Sequence, residues 1–208
     1  DQHQGLLAGE SLLLSLQQME AAYLSWDKRA LEVRKTASLR SLSPLLIDRV
    51  KQLLTPDSPV IVDPDNAQPK VEVAMDGDNN LSMTFTLADM NIQGDYPSSL
   101  NLGSSRLIKT LSVSLPALLG PYENVKALLR YQSNSPLADG CKAVAISHGL
   151  DDSGQFQLDF NDGKYLPFEG VPIETGTFSL VFPHASSSQK AMLLSLSDVI
   201  LHISYTIR

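Results

Sequence analysis

Ser147, within Ala145-Ile146-Ser147-His148-Gly149, is placed as a nucleophile would be at the sharp strand-to-helix elbow of an α/β-hydrolase. That elbow requires a helix straight after the turn, whereas Asp151-Asp152-Ser153-Gly154 leads into an alternating, strand-like stretch. A strand ending in a polar turn is the better reading. Asp76, Asp78, Asn79 and Asn80 offer the oxygen ligands that calcium prefers. An EF-hand loop starting at Asp76 would need glycine and glutamate where the chain has Leu81 and Leu87, so this segment reads as a solvated hairpin tip. Asp151 and Asp152 could serve as a metal pair or as glycosidase carboxylates, but the sequence places no second carboxyl opposite them. His3, His148, His184 and His202 show no i, i+4 pairing and read as surface or edge residues. The one cysteine, Cys141, falls on an inward strand position and reads as a small core residue. A single thiol excludes an internal disulfide and a cysteine-based zinc site. The expectation is a protein without catalytic, cofactor-binding or metal residues.

The elements around these residues divide into two compositions. Sixteen Lys and Arg against 23 Asp and Glu give the 208-residue chain a net charge of −7. That balance argues against a nucleic-acid protein or a polybasic membrane binder, because phosphate affinity needs clustered cations. No apolar run approaches the length of a transmembrane helix. The chain starts Asp1-Gln2-His3, with neither Met nor a signal pattern, and is expected to be a piece of something longer. Residues 1–54 are nearly charge-balanced and poor in Gly and Pro, while 55–208 carry the acidic excess and most of the turn formers.

In the first part, Leu12, Leu16, Met19, Tyr23, Trp26, Ala30, Val33 and Ala37 recur at alternating spacings of four and three, the seam of a heptad helix. A helix from Gly5 to Leu39 would run roughly 50 Å at 1.5 Å per residue. Its apolar face is expected to pack against other helices, from identical chains or from upstream sequence, the alternative being a long helix lying across the β-domain. Ser43-Pro44 reads as the N-cap and first residue of a short second helix carrying Leu46, Ile47, Val50, Leu53 and Leu54. Residues 55–70, with Pro56, Pro59, Pro64 and Pro69, read as a linker. From residue 71 the apolar period becomes two. Alternating runs at 71–75, 81–87, 111–115, 125–131, 143–147, 156–160, 178–182 and 199–207 are separated by Gly, Pro, Asn and Asp turns. Ser186–Ser188 can cap one short helix reaching Leu196. The predicted fold is mainly β: an antiparallel β-sandwich over 71–208, preceded by a long N-terminal α-helix and a short second helix within 1–54.

Loop aromatics are the remaining candidates. Tyr165 and Phe168 lie in or beside a turn, out of strand alternation, as interface anchors often do; a loop tucked onto its own core explains them equally well.

Several segments, taken in order, resemble the C-terminal end of the A subunit of insecticidal toxin complexes (Tc toxins). They are Gly9-Glu10-Ser11-Leu12-Leu13-Leu14 onward to Val33, Asp95-Tyr96-Pro97, Val113-Ser114-Leu115-Pro116-Ala117-Leu118-Leu119-Gly120-Pro121-Tyr122, Ser147-His148-Gly149, Asp152-Ser153-Gly154-Gln155-Phe156 through Pro167-Phe168-Glu169-Gly170, and Leu196 to Arg208. The resemblance does not extend to residues 55–70. It implies a secreted homopentamer that binds host cells and inserts a helical channel through upstream sequence. Its C-terminal domains would form a funnel that docks the β-propeller of the B subunit and opens the propeller gate for the toxic part of the C subunit. This chain would supply the last channel-associated helix and the non-enzymatic docking domain. On physical grounds the expected contacts are Tyr96, Tyr122, Tyr165 and Phe168, with Asp151, Asp152 and Asp162 complementing a basic propeller rim. A carbohydrate-binding β-sandwich is the alternative, and predicts glycan affinity without the helix. A hydrolase using Ser147 or Asp151–Asp152 would turn over model substrates.

Overall fold

Strands with period-two alternation are the main regular elements of this computed structural model, which describes residues 31–57, 59, 61, 69–95, 105–117, 125–133, 142–148, 156–159 and 168–207, together with Leu16, Gln18 and Met19. In order, the described elements are β1 (Leu31–Ser38), α1 (Leu39–Leu42), α2 (Leu46–Leu54), β2 (Glu72–Met75), β3 (Leu81–Phe85), a 3-10 turn (Ala88–Met90), α3 (Ile92–Asp95), β4 (Arg106–Leu115), β5 (Val125–Gln132), β6 (Lys142–His148), β7 (Phe156–Asp159), β8 (Thr177–Phe182), α4 (Lys190–Ser195) and β9 (Ile200–Ile207). They form a four-stranded sheet, β1-β9-β4-β7, and a five-stranded sheet, β2-β3-β8-β5-β6, with every described pairing antiparallel.

One buried cluster draws on both sheets. From the first it takes Ile108, Leu111, Val113, Leu201, Ile203 and Tyr205, and from the second Met83, Phe85, Leu129, Phe178 and Leu180. The expected sandwich is consistent with this arrangement. Phe178 lies at the centre of an aromatic group, stacked with Phe85 at 6.0 Å, tilted against Tyr131 at 5.1 Å and edge-on to Phe168 at 5.9 Å.

The helix predicted to reach Leu39 is corrected by β1. Leu31 to Ser38 pair with β9 in unbroken register, from Leu31 opposite Ile207 to Ser38 opposite Ile200. Val33 and Ala37, expected on the helical seam, are strand residues, and Val33 is part of the core. Their positions fit a period of two as well as one of 3.5. Pairing with β9 decides the ambiguity, because it seats Val33 inward and Glu32 and Arg34 outward, a choice that local periodicity alone cannot make. Residues 31–54, expected within the helical segment, thus contribute a strand to the first sheet and Leu39, Leu46, Ile47, Val50 and Leu54 to the core. Leu16 and Met19 of the seam are helical and exposed. Leu12, Tyr23, Trp26 and Ala30 lie outside the described residues.

Two helix starts also differ from expectation. Ser38 caps α1, accepting from the Ser41 N–H, and Ser43 ends that helix instead of opening the next. α2 begins at Leu46 with Leu45 at its N-cap. α4 starts at Lys190 after Gln189 rather than from the serines at 186–188. Gln189 is instead a buried tie, its Oε1 accepting from Lys126 N–H and its Nε2 donating to Pro183 O.

A polar face on the four-stranded sheet as candidate functional site

Alternation along β1, β9 and β4 sends their polar residues to the side of the sheet away from the core. On β4 the phase changes in the middle. Ile108 faces Tyr205 and Thr110 faces Ser204, so Lys109 is an extra residue, a β-bulge. Before the bulge Arg106 and Ile108 are buried; after it Leu111, Val113 and Leu115 are. Such bulges re-aim side chains. Here the bulge leaves Lys109 and Thr110, two consecutive residues, off the buried side, and the Lys109 side chain reaches past β9 to β1.

Two hydrogen-bonded rows cross the three strands. In the first, the Glu32 carboxylate accepts from Lys109 Nζ at 2.5 Å and from Ser204 Oγ at 3.0 Å, with Arg34 Nε at 4.0 Å. The Lys109 ammonium, followed by the Ser204 hydroxyl, holds the Glu32 carboxyl below the usual glutamate range. In the second row, Thr36 Oγ1 lies 3.3 Å from His202 Nδ1 and Ser114 Oγ lies 2.8 Å from His202 Nε2. Both partners are hydroxyls, which can donate or accept, so the ring tautomer sets the direction of each bond. The Ser114–His202 pair has the spacing of a nucleophile and its base. Its third member is the Thr36 hydroxyl, however, where a triad needs a carboxylate to stabilise the imidazolium. The two rows border an open depression of about 450 Å³. Its shape suits contact with another surface better than enclosure of a reacting molecule.

Tyr96, Tyr122, Asp151, Asp152, Asp162 and Tyr165 lie outside the described residues, as does Cys141. Phe168 is described and is not an exposed anchor. It is 1% exposed, because its ring fills the gap against Phe178 while its turn is stitched to β4. In that turn Gly170 N–H donates to Ile108 O at 2.9 Å, and Ile108 N–H donates to Val171 O at 2.8 Å. Ser147 sits inside β6, opposite Lys126 on β5, so no strand-to-helix elbow forms at it. At the β2–β3 hairpin tip, the Asp76 carboxylate accepts from the backbone and side-chain amides of Asn80 and from Asp78 N–H, which hold it below the usual aspartate range. Its oxygens thus serve the turn. Among the described residues no group of three or more His, Cys, Asp and Glu could hold a metal ion, and no helix is long and apolar enough to cross a membrane.

The described residues form a mainly β body with an open, polar, internally bonded sheet face. Comparison with known proteins gives that body its family. The family model of the Tc toxin complex TcA C-terminal TcB-binding domain matches residues 1–55 and 136–207. Toxin subunit YenA2 of Yersinia entomophaga is 32% identical over 236 residues, covering 99% of this chain and 15% of the relative. Among solved structures, Yersinia pseudotuberculosis TcaA-TcaB is 48% identical with a TM-score of 0.66, covering 100% of this chain and 11% of that one. Morganella morganii TcdA4 is 45% identical with a TM-score of 0.64, covering 97% of this chain and 8% of that one. The chain therefore belongs to the TcB-binding domain family of Tc toxin A subunits, and it spans about 15% of the length of its curated relative.

Proposed function

We propose that this domain docks a Tc toxin A subunit onto its B subunit and performs no catalysis of its own. The observation that carries the reading is the match to the TcB-binding family at both ends of the chain, residues 1–55 and 136–207. In the finer reading, five copies in a secreted homopentamer present a funnel to the β-propeller of the B subunit. Docking favours the open state of the propeller gate, because a partner shifts a two-state equilibrium by its differential affinity for the two states. The toxic part of the C subunit then passes into a channel built from upstream sequence in the host membrane. Tyr96, Tyr122, Asp151, Asp152, Asp162 and Tyr165 remain proposed contacts.

The test is size-exclusion chromatography with light scattering of the full-length A subunit carrying this sequence, mixed with the B–C complex. A stable complex that is lost when residues 31–207 are deleted supports docking. A complex that survives the deletion, or none with the intact subunit, refutes it. Monomeric glycan affinity without B-subunit binding would instead favour the carbohydrate-binding alternative.

A further inference from the structure

We propose that the outer face of the four-stranded sheet receives a carboxylate-bearing segment of the B subunit, with Arg34 and Lys109 as its charged contacts. This rests on the docking reading above and names the surface and the chemistry of the segment it takes. Three observations carry it.

The first is local charge. The chain is acidic at −7, yet on the outward phase Arg34 and Lys109 line the depression against one carboxylate among the described lining residues, Glu32, a local charge of +1. Everything else then carries −8. Within a screening length of about 8 Å at physiological ionic strength, a docked segment senses the local +1 and little of the remainder.

The second is how the cations are held. Lys109 is at the bulge, and its ammonium is fixed by Glu32, which Ser204 fixes in turn. Side chains ordered beforehand lose less freedom on binding. Arg34 complements this: its side chain is 87% exposed and its contact with Glu32 is a marginal 4.0 Å. The guanidinium keeps donors for a bidentate grip on an incoming carboxylate, which a lysine could not replace.

The third is the lining. Beside the charges stand hydroxyls, among them Thr36, Thr110 and Ser112, and no aromatic ring lines the depression among the described residues. Hydroxyls and cations together suit carboxylate oxygens and peptide carbonyls. The acidic loop residues already proposed as contacts would meet a basic rim of the partner, so opposite-sign patches on one domain would fix the register of docking as well as its strength.

The experiment compares B-subunit affinity of the full-length A subunit with that of Arg34→Glu, Lys109→Glu and, as a control on the outer face of the other sheet, Lys126→Glu. Arg34→Glu is the decisive variant, because so exposed a side chain can be reversed without disturbing the core. The expected result is a loss of about tenfold or more for Arg34→Glu and for Lys109→Glu, with Lys126→Glu within about twofold of wild type. The Arg34→Glu deficit should shrink between about 0.15 M and about 0.5 M salt, as an electrostatic contact requires. If Arg34→Glu binds as tightly as wild type, or if its deficit is insensitive to salt, this face is not the contact, and the docking reading stands without it. If wild type itself binds no B subunit, the docking reading fails and takes this proposal with it.

Discussion

Phe168 separates two physical roles, and truncating it measures which one it plays. As a loop aromatic it could anchor a partner; in the structure its ring is 1% exposed and packs edge-on against Phe178. Phe168→Ala should therefore act on stability. Deleting a buried phenyl group costs about 3–5 kcal/mol, and the loss of an aromatic pair accounts for roughly 0.5–1.5 kcal/mol of such effects. The neighbourhood is restrained on both sides, by Phe85 and Tyr131 around Phe178 and by the 168–171 turn bonded to β4. Collapse into the vacated volume is limited there, which points to about 4 kcal/mol. For a chain of this size that is a fall in Tm of roughly 8–16 °C. Urea and thermal unfolding followed by circular dichroism read the stability. B-subunit affinity, measured at a temperature where the variant stays folded, reads the contact and should stay within about twofold of wild type. An unfolding free energy changed by less than about 0.5 kcal/mol together with weakened B-subunit binding would refute the core assignment and restore Phe168 as an anchor.

Three further outcomes follow from the geometry. Gly176 has φ +108°, and a methyl there would meet the Tyr131 ring, with Cζ 2.7 Å away; Gly176→Ala should cost at least about 2 kcal/mol by chemical denaturation, and a neutral result would mean that the turn relaxes freely. Arg106 is buried and its Nη1 donates to Glu174 Oε1 at 2.8 Å, so Glu174→Ala should lose about 1.5–3 kcal/mol, while an equally stable variant would show that the guanidinium's other contacts suffice. The lowered Glu32 carboxyl favours the folded state wherever it is ionised, above the usual glutamate range of about 4.3, and that contribution is lost as the pH falls through the lowered folded value. The stability gap between wild type and Glu32→Gln should therefore close on acidification through that window; a gap independent of pH in urea titrations would rule out the Lys109 and Ser204 bonds as its source.

Much of the β architecture was legible because alternation and turn chemistry agree along each strand. Phe178, Leu180 and Phe182 all point inward as their spacing predicts, and the Asp76–Asn80 tip closes its hairpin as its composition predicts. β1 was not legible. Leu31 to Ser38 satisfies both periods, and the arbiter is β9, more than 160 residues further along the chain. The polar face was hidden for a related reason. Glu32, Lys109 and Ser204 are unremarkable singly, and no local spacing joins them; only the sheet order β1-β9-β4 and the bulge at Lys109 bring them together. A signal existed in the outward-phase positions of the C-terminal strand, where His202 and Ser204 alternate with Leu201, Ile203 and Tyr205, but it names one strand of the face without its neighbours. Phe168 stays open between partner anchor and core ring at the level of sequence, because turn position reports backbone geometry and says nothing of whether the side chain folds back onto the core.

The order β1-β9-β4 also ties the proposed contact to the ends of the described fold. β9 is flanked on both sides, by β1 from residues 31–38 and by β4, and it supplies His202 and Ser204 to the middle of both polar rows. β1 supplies Glu32, Arg34 and Thr36, and it directly precedes the capped turn of α1, where the Asp198 carboxylate accepts from Ser38 Oγ at 2.6 Å and Arg40 N–H at 3.1 Å. The face therefore requires closure between the first and last described strands. A chain cut between β1 and the core would lose the face while keeping the five-stranded sheet's own pairings, whereas substitutions confined to outward side chains would lose the contact and keep the fold. That difference gives charge reversal at Arg34 its value: it changes the surface and leaves the closure that builds it untouched.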